Sequence, residues 1–154
     1  MRDDRETYVG KSCAYITRNG SELLVFEGPG HDGYQIPKGT LEPGENPREA
    51  AYREAIEESG LASFVGLRHV ATDVWTRRES PPRHYVRHFY HAPVHEPRDS
   101  WTHTVTGTGE ERGETFEFSW LPLPTDAEFA LSLDDYVHAL PVTPDAAPAV
   151  AAED

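Results

Sequence analysis

Apolar residues come in short strand-like runs at Lys11–Thr17 (KSCAYIT) and Glu22–Glu27 (ELLVFE), joined by Arg18-Asn19-Gly20-Ser21. Asn-Gly tolerates the left-handed backbone of tight turns, so the pair predicts a β-hairpin. Residues 28–33, GPGHDG, form a loop by composition, and Tyr34-Gln35-Ile36 reads as a short strand. The period then changes. At about 100° per residue, Tyr52, Ala55 and Ile56 fall on one side of a helix and Glu54, Glu57 and Glu58 on another. Such a helix packs one face and presents carboxylates on a different one. Its ends are punctuated: Asn46 as N-cap, Pro47 at the first position, Glu49 at the third and Gly60 just past the end, which predicts a helix over Pro47–Ser59. Strand patterns return at Leu67–Trp75, Tyr85–Val94, Trp101–Thr106 and Thr115–Trp120, the last with Phe116, Phe118 and Trp120 on one side. Ser132 is expected to cap a final helix over Leu133–Leu140, stopped by Pro141.

Strands, a central helix, more strands and a terminal helix make a mixed α/β layer structure, not a regular βαβ repeat. The 154 residues suit a single domain over 1–140. Met1–Glu6 is expected to fray, and the Pro- and Ala-rich tail 141–154 to be disordered. Cys13 is the one cysteine, which excludes an internal disulfide and a Cys-rich zinc site; it reads as a core residue. No apolar run approaches a membrane span and no charged-then-apolar leader opens the chain, so a cytoplasmic location without membrane contact is expected. The formal net charge of −13 opposes binding of long nucleic acid, whose backbone demands a basic patch. It leaves room for a small phosphorylated ligand held through a cation.

The glutamates change the picture further. Like charges at helical neighbour spacing repel by roughly 0.2–0.5 kcal/mol per pair. Three carboxylates on one helical face offer hard oxygen ligands suited to Mg²⁺, Mn²⁺ or Ca²⁺ rather than zinc. The regular Ca²⁺-loop pattern is absent. The loop Pro37–Glu45 carries Gly39 and Gly44, which permit a tight path that brings backbone carbonyls close. The alternative is a solvated acidic face that binds nothing. No Rossmann or P-loop glycine pattern is present.

Gly39 is followed after five residues by Glu45 and after seven more by Arg53-Glu54, then Ala55, Ile56, Glu57-Glu58, Ser59, Gly60 and Leu61. This spacing resembles the Nudix hydrolase signature at every fixed position; Ala55 is a small residue at an aliphatic place. The resemblance implies an α/β/α sandwich with a central mixed β-sheet, and Mg²⁺- or Mn²⁺-dependent hydrolysis of a nucleoside diphosphate linked to another group. It implies metal ligation by Glu54, Glu57 and Glu58 with the Gly39 carbonyl, and a supporting Glu45–Arg53 ion pair. A carboxylate takes the proton of the attacking water; Glu54 serves as that base or as a ligand. In the family a downstream glutamate often serves as base or extra ligand, and Glu114 is the expectation because its place six residues before Trp120 resembles the diadenosine polyphosphate hydrolase branch, with Glu110, Glu111 and Glu117 as rivals.

The form PKGTLEPGE is similar to dinucleoside polyphosphate and diphosphoinositol polyphosphate hydrolases. Lys38 either touches a phosphate or faces solvent. Arg77, Arg78, Arg83 and Arg87 form a local basic cluster able to meet further phosphates. Tyr85, Trp75 and Trp101 either stack a base or belong to the core. His84, His88, His91 and His103 are expected at surface or strand positions. The leading expectation is a metal-dependent hydrolase of a diphosphate linkage, with a dinucleoside polyphosphate as substrate. ADP-ribose or a nucleoside triphosphate is the alternative, and a non-catalytic nucleotide sensor the rival of another class. The intact box favours the enzyme. Monomer and homodimer both remain open.

Overall fold

Asn19 and Gly20 take positive φ, 55° and 73°, and Ser21 N donates to Arg18 O at 3.3 Å. That turn joins strand β1 (Thr7–Arg18) antiparallel to β2 (Glu22–Glu27). The computed structural model describes residues 7–27, 33–78, 80–107, 109 and 111–142. Met1–Glu6, the loop residues 28–32, Glu110 and the tail from 143 onward lie outside the described residues.

β1 is longer than its apolar core predicts. It runs parallel to β5 (Arg83–Pro93), from Thr7 opposite Arg83 to Thr17 opposite Pro93, and this non-local pairing extends it. β3 (Lys38–Thr40) pairs antiparallel with Lys11–Cys13. The expected strand Tyr34–Ile36 is reduced to single bridges, Phe26 with Gln35 and Tyr34 with Phe129. The remaining strands are β4 (Arg68–Arg77), β6 (Ser100–Thr104) and β7 (Thr115–Pro122). The mixed sheet runs β4-β5-β1-β2-β7-β6, with β3 attached to β1 beside that path.

Helix α1 spans Pro47–Ser59, as its caps predict. Asn46 Oδ1 accepts from Glu49 N at 2.9 Å and Glu49 Oε1 accepts from Asn46 N at 3.4 Å, a reciprocal box. Gly60, at φ 74°, donates its N–H to Ile56 O.

Alternation along the strands builds a core on each face of the sheet. Ala14, Ile16, Leu24, Phe26, Phe116 and Phe118 pack on one side with Ala55 and Leu61. Cys13, Tyr15, Leu23, Val25 and Phe89 pack on the other with Leu133, Val137 and Leu140. Burial pushes the Cys13 thiol up to about 12, which leaves it inert.

The second covering layer differs from its prediction. No α-helix forms over Leu133–Leu140; the chain makes two 3₁₀ turns, Ala130–Ser132 and Val137–Ala139. Ser132 cannot cap, because it and Leu131 sit at φ 57° and 58°. Side chains from the sheet satisfy the carbonyls instead: Tyr15 Oη donates to Leu133 O at 2.6 Å, and Arg87 Nη1 to Leu131 O and Ser132 O at 3.3 Å each. Among the described residues no helix is long and apolar enough to cross a membrane.

Candidate active site

The carboxylate face of α1 does not point at open solvent. Ala50, Ala51 and Ala55 are fully covered, and such small side chains let the helix lie close to the sheet. Ser12 Oγ of β1 donates to Pro47 O at 2.7 Å, pinning its first turn. Tyr52 and Ile56, expected on the packing face, are only half-buried, whereas Glu54 and Glu58 are 9% and 1% exposed. Amphipathicity alone cannot reveal this, because carboxylates are normally assigned to water.

Glu58 Oε1 accepts from Lys38 N at 3.2 Å, and Glu111 lies near enough to its carboxyl to disfavour the charged form. Burial, then the neighbouring Glu111, push Glu58 well above the usual carboxylate range. Burial also raises Glu54, outweighing its contacts with Arg53. Two glycines make the close approach feasible. A Cβ on Gly39 would run into the Glu54 carboxylate, and one on Gly107 into that of Glu57.

Arg53 ties the loop to the helix. Its Nε and Nη2 donate to the two oxygens of Glu45 at 2.8 and 2.9 Å, a bidentate grip. Nη2 also reaches Thr40 O at 3.3 Å. Nη1 donates to Glu54 Oε2 at 2.9 Å and Glu57 Oε1 at 3.3 Å. The hydrogen bonds from Arg53 hold Glu45 below the usual carboxylate range.

These groups border a cleft of about 740 Å³. Glu54, Glu57, Glu58 and Glu111 form its acidic end. Lys11, Lys38, Arg77 and Arg83 line another part, with Trp75 and Tyr85 among them. Gly39 is in the wall as well.

Three predicted residues lie elsewhere or differently. Arg78 borders a separate shallow hollow with Thr76, Ser80 and Pro82. Arg87 reaches the cleft but is 4% exposed. Its Nε and Nη2 grip Asp73 at 2.9 and 2.7 Å, and Nη2 also meets Asp135 at 3.0 Å. Two carboxylates and two carbonyls thus engage the guanidinium, and it supports the floor. Glu114 is exposed and does not line the cleft; its N–H donates to Glu111 O and its carbonyl accepts from Val105 N. Glu111 is the downstream glutamate that lines the cleft. Gly107 and Gly113, both at φ 91°, turn the connecting loop so that distance along the chain from Trp120 does not translate into reach. Glu117 is exposed on β7, and Glu110 is outside the described residues.

Trp101 belongs to the core: it stacks on Phe118, and its Nε1 donates to Ser59 O at 2.7 Å. His103 Nε2 meets Glu57 O at 3.1 Å, closing the end of α1, and His91 bonds Thr17 inside the sheet. His84 and His88 meet Thr76 and Thr72. None of these four histidines lines the cleft. Sequence reasoning missed Lys11, whose Nζ donates to Thr40 Oγ1 at 2.8 Å. The available signal was a lysine on the same strand face as Cys13 and Tyr15, an inward-facing charge.

Among the described residues, no three acidic, histidine or cysteine side chains converge in a ready metal cage. The Arg53 guanidinium neutralises Glu54 and Glu57 in this arrangement. The donor chemistry still fits a hard divalent cation: oxygen atoms only, several of them carboxylate. Glu58 points the same way, since a carboxyl only 1% exposed is costly to ionise without a nearby cation.

Comparison with known proteins agrees with this geometry. The family model described as the NUDIX domain matches residues 8–140. An RNA pyrophosphohydrolase of Psychrobacter sp. (strain PRwf-1) is 42% identical over 90 residues, 56% of this chain and 49% of the relative. An RNA pyrophosphohydrolase of Cereibacter sphaeroides (strain ATCC 17029 / ATH 2.4.9) is 33% identical over 116 residues, 71% of this chain and 70% of the relative. The chain thus spans about half the length of the first of these curated relatives. The crystal structure of the MutT protein from Methanosarcina mazei Go1 superposes with a TM-score of 0.54 at 18% identity, covering 77% of this chain and 80% of that one, and shares the fold. With the box from Gly39 to Leu61 on this loop and helix, and the domain model matching residues 8–140, the chain belongs to the Nudix family.

Proposed function

We propose that the chain is a Mg²⁺- or Mn²⁺-dependent pyrophosphohydrolase that cleaves a diphosphate linkage in a nucleoside diphosphate derivative, a dinucleoside polyphosphate by preference. One observation carries the reading: Glu58, 1% exposed, lines a cleft with Glu54, Glu57 and Glu111 that lysine and arginine also line. An acidic cluster serves a polyanionic substrate only with a cation between them.

Glu54, Glu57, Glu58 and Glu111 would hold the ion, with the Gly39 carbonyl beside them. Bound there, it supplies charge neutralisation at the phosphate oxygens and acidifies an attacking water. Arg53 keeps the loop and the helix carboxylates in register through Glu45. Lys11, Lys38, Arg77 and Arg83 would orient the phosphate chain. Glu54 or Glu111 takes the proton from the water, since both line the cleft within the acidic cluster.

The relatives' names support a second reading, a phosphoanhydride at the end of an RNA. At a net charge of −13, grip on such a substrate would be confined to its terminus within the cleft.

The test is turnover with Mg²⁺ or Mn²⁺, and again with EDTA. The panel holds diadenosine polyphosphates, ADP-ribose, nucleoside triphosphates, a diphosphoinositol and a short 5′-triphosphorylated RNA. Metal-dependent cleavage of the diadenosine polyphosphates ahead of the others is expected. Preference for the RNA would select the second reading. Nucleotide binding without cleavage of any member would assign the chain to a non-catalytic sensor.

A further inference from the structure

Leu131 and Ser132 both take the left-handed conformation, at φ 58° and 57°, although neither is glycine. That costs on the order of 1–2 kcal/mol per residue. Such strain persists only where the surroundings enforce it, and it clusters at ligand clamps. Here the enforcement is visible. Arg87 donates to the carbonyls of both residues while it is fastened to Asp73 and Asp135. Tyr34 O accepts from Ala130 N at 2.8 Å ahead of the strained pair, and Tyr15 Oη donates to Leu133 O behind it.

This turn puts Leu131 in the wall of the cleft, which Trp75 and Tyr85 also line, their rings 6.0 Å apart. Charged side chains make up much of the remaining lining, with Leu41, Pro43, Val105 and Leu133 as further apolar members, and Leu131 also packs against the core on that face of the sheet. An apolar side chain held at conformational cost where two aromatic rings also line the cleft has a use if the ligand has an apolar part.

We propose that Leu131 is a specificity-determining residue: with Trp75 it seats the nucleoside base of the substrate, while the phosphates extend toward the acidic end. The inference rests on the reading of the cleft as a nucleotide site, and it goes further by assigning which residues recognise the base.

Two variants keep the backbone feasible. Leu131→Gly removes the side chain at a position where glycine is at ease, and Leu131→Asn keeps a similar size with a polar end in a residue that tolerates this conformation. Binding is measured by calorimetry with the full chain and two uncleavable probes. One is a fully methylene-bridged adenosine triphosphate, the other the same bridged triphosphate without the nucleoside. Wild type is expected to bind the nucleoside-bearing probe more tightly. Both variants should lose about tenfold on that probe, the scale of partly uncovering a leucine contact. Affinity for the bare triphosphate should be unchanged in both variants.

Equal affinity of wild type for the two probes would overturn the assignment. So would variants that bind the nucleotide like wild type, or that weaken on both probes alike with a lower melting temperature, which marks a packing role alone. Binding needs no turnover, so a wild type that fails the hydrolysis panel yet shows the expected pattern sinks the hydrolase reading and leaves the base seat standing.

Discussion

Glu58 is 1% exposed with Glu111 as a neighbouring carboxylate, so its ionised form is costly without a cation. Its folded pKa lies above the ordinary value of about 4.3, mainly through burial. A raised pKa stabilises the fold fully below that ordinary value, and the contribution is lost as pH rises through the folded pKa. Glu58→Gln keeps the acceptor for Lys38 N, adds a donor for Glu111 and never ionises. In EDTA at pH 8 it should therefore exceed wild type in stability by roughly 1–2 kcal/mol, with little difference near pH 4. With saturating Mg²⁺ its turnover should fall at least about a hundredfold. Urea melts across pH and kcat check both halves; a variant no more stable at pH 8 and near normal in kcat would sink the assignment. A paired comparison tests the downstream carboxylate. Glu111→Gln should lose on the order of 10²–10³ in kcat, whereas exposed Glu114→Gln should stay within about threefold. The glutamates of the helix were legible from spacing. Glu111 was not distinguishable from its neighbours, because two positive-φ glycines set the path of its loop.

Elements divide by what specifies them. The bounds of α1 follow from Asn46, Pro47, Glu49 and Gly60, all local, and β2 ends where its apolar run ends. Asn46→Ala should cost about 1 kcal/mol in a denaturant melt, with the helix still in place. Leu133–Leu140 carries a helical pattern too, yet the segment forms 3₁₀ turns, since Arg87, Tyr15 and Asp73 of the sheet offer its backbone and side chains better partners. Arg87 therefore holds an element in place. Arg87→Ala leaves Asp73 and Asp135 without their cation, and should destabilise by about 3 kcal/mol. Burial pushes Asp73 up, but hydrogen bonds from Arg87 and Tyr136 outweigh it and hold the carboxyl below its ordinary value. A depressed pKa contributes stability that is present above about pH 4 and lost as pH falls through the folded pKa. Asp73→Asn should flatten that acid limb of the stability curve, as melts between about pH 2 and 6 would reveal; an unaltered limb would mean the clasp does not carry it.

At the scale of the whole molecule, a chain of net charge −13 gathers Lys11, Lys38, Arg77 and Arg83 into one cleft. Repulsion from the rest of the surface works against an anionic substrate, and the local wall works for it. Salt screens the distant charges over a Debye length of about 10 Å at 0.1 M, and partly enclosed contacts less. For a polyphosphate substrate the local wall should win. KM should rise several-fold between about 0.05 and 0.5 M salt, with kcat little changed, in initial-rate measurements at fixed free Mg²⁺. A falling KM would show that the net charge dominates. The sequence by itself determined the strand runs, the capped helix, the box and the oxygen character of the site. Each depends on residues near one another along the chain, through caps, turns or helical spacing. Tertiary structure decided the parallel pairing of β1 with β5, the inward turn of Glu58 and the placing of Glu111, not Glu114, along the cleft. It also decided the use of Arg87 as a clasp and the placing of Lys11, Trp75 and Leu131 in one wall. These depend on which distant segments meet, and that is set by burial against the sheet from both faces at once, which no local period encodes.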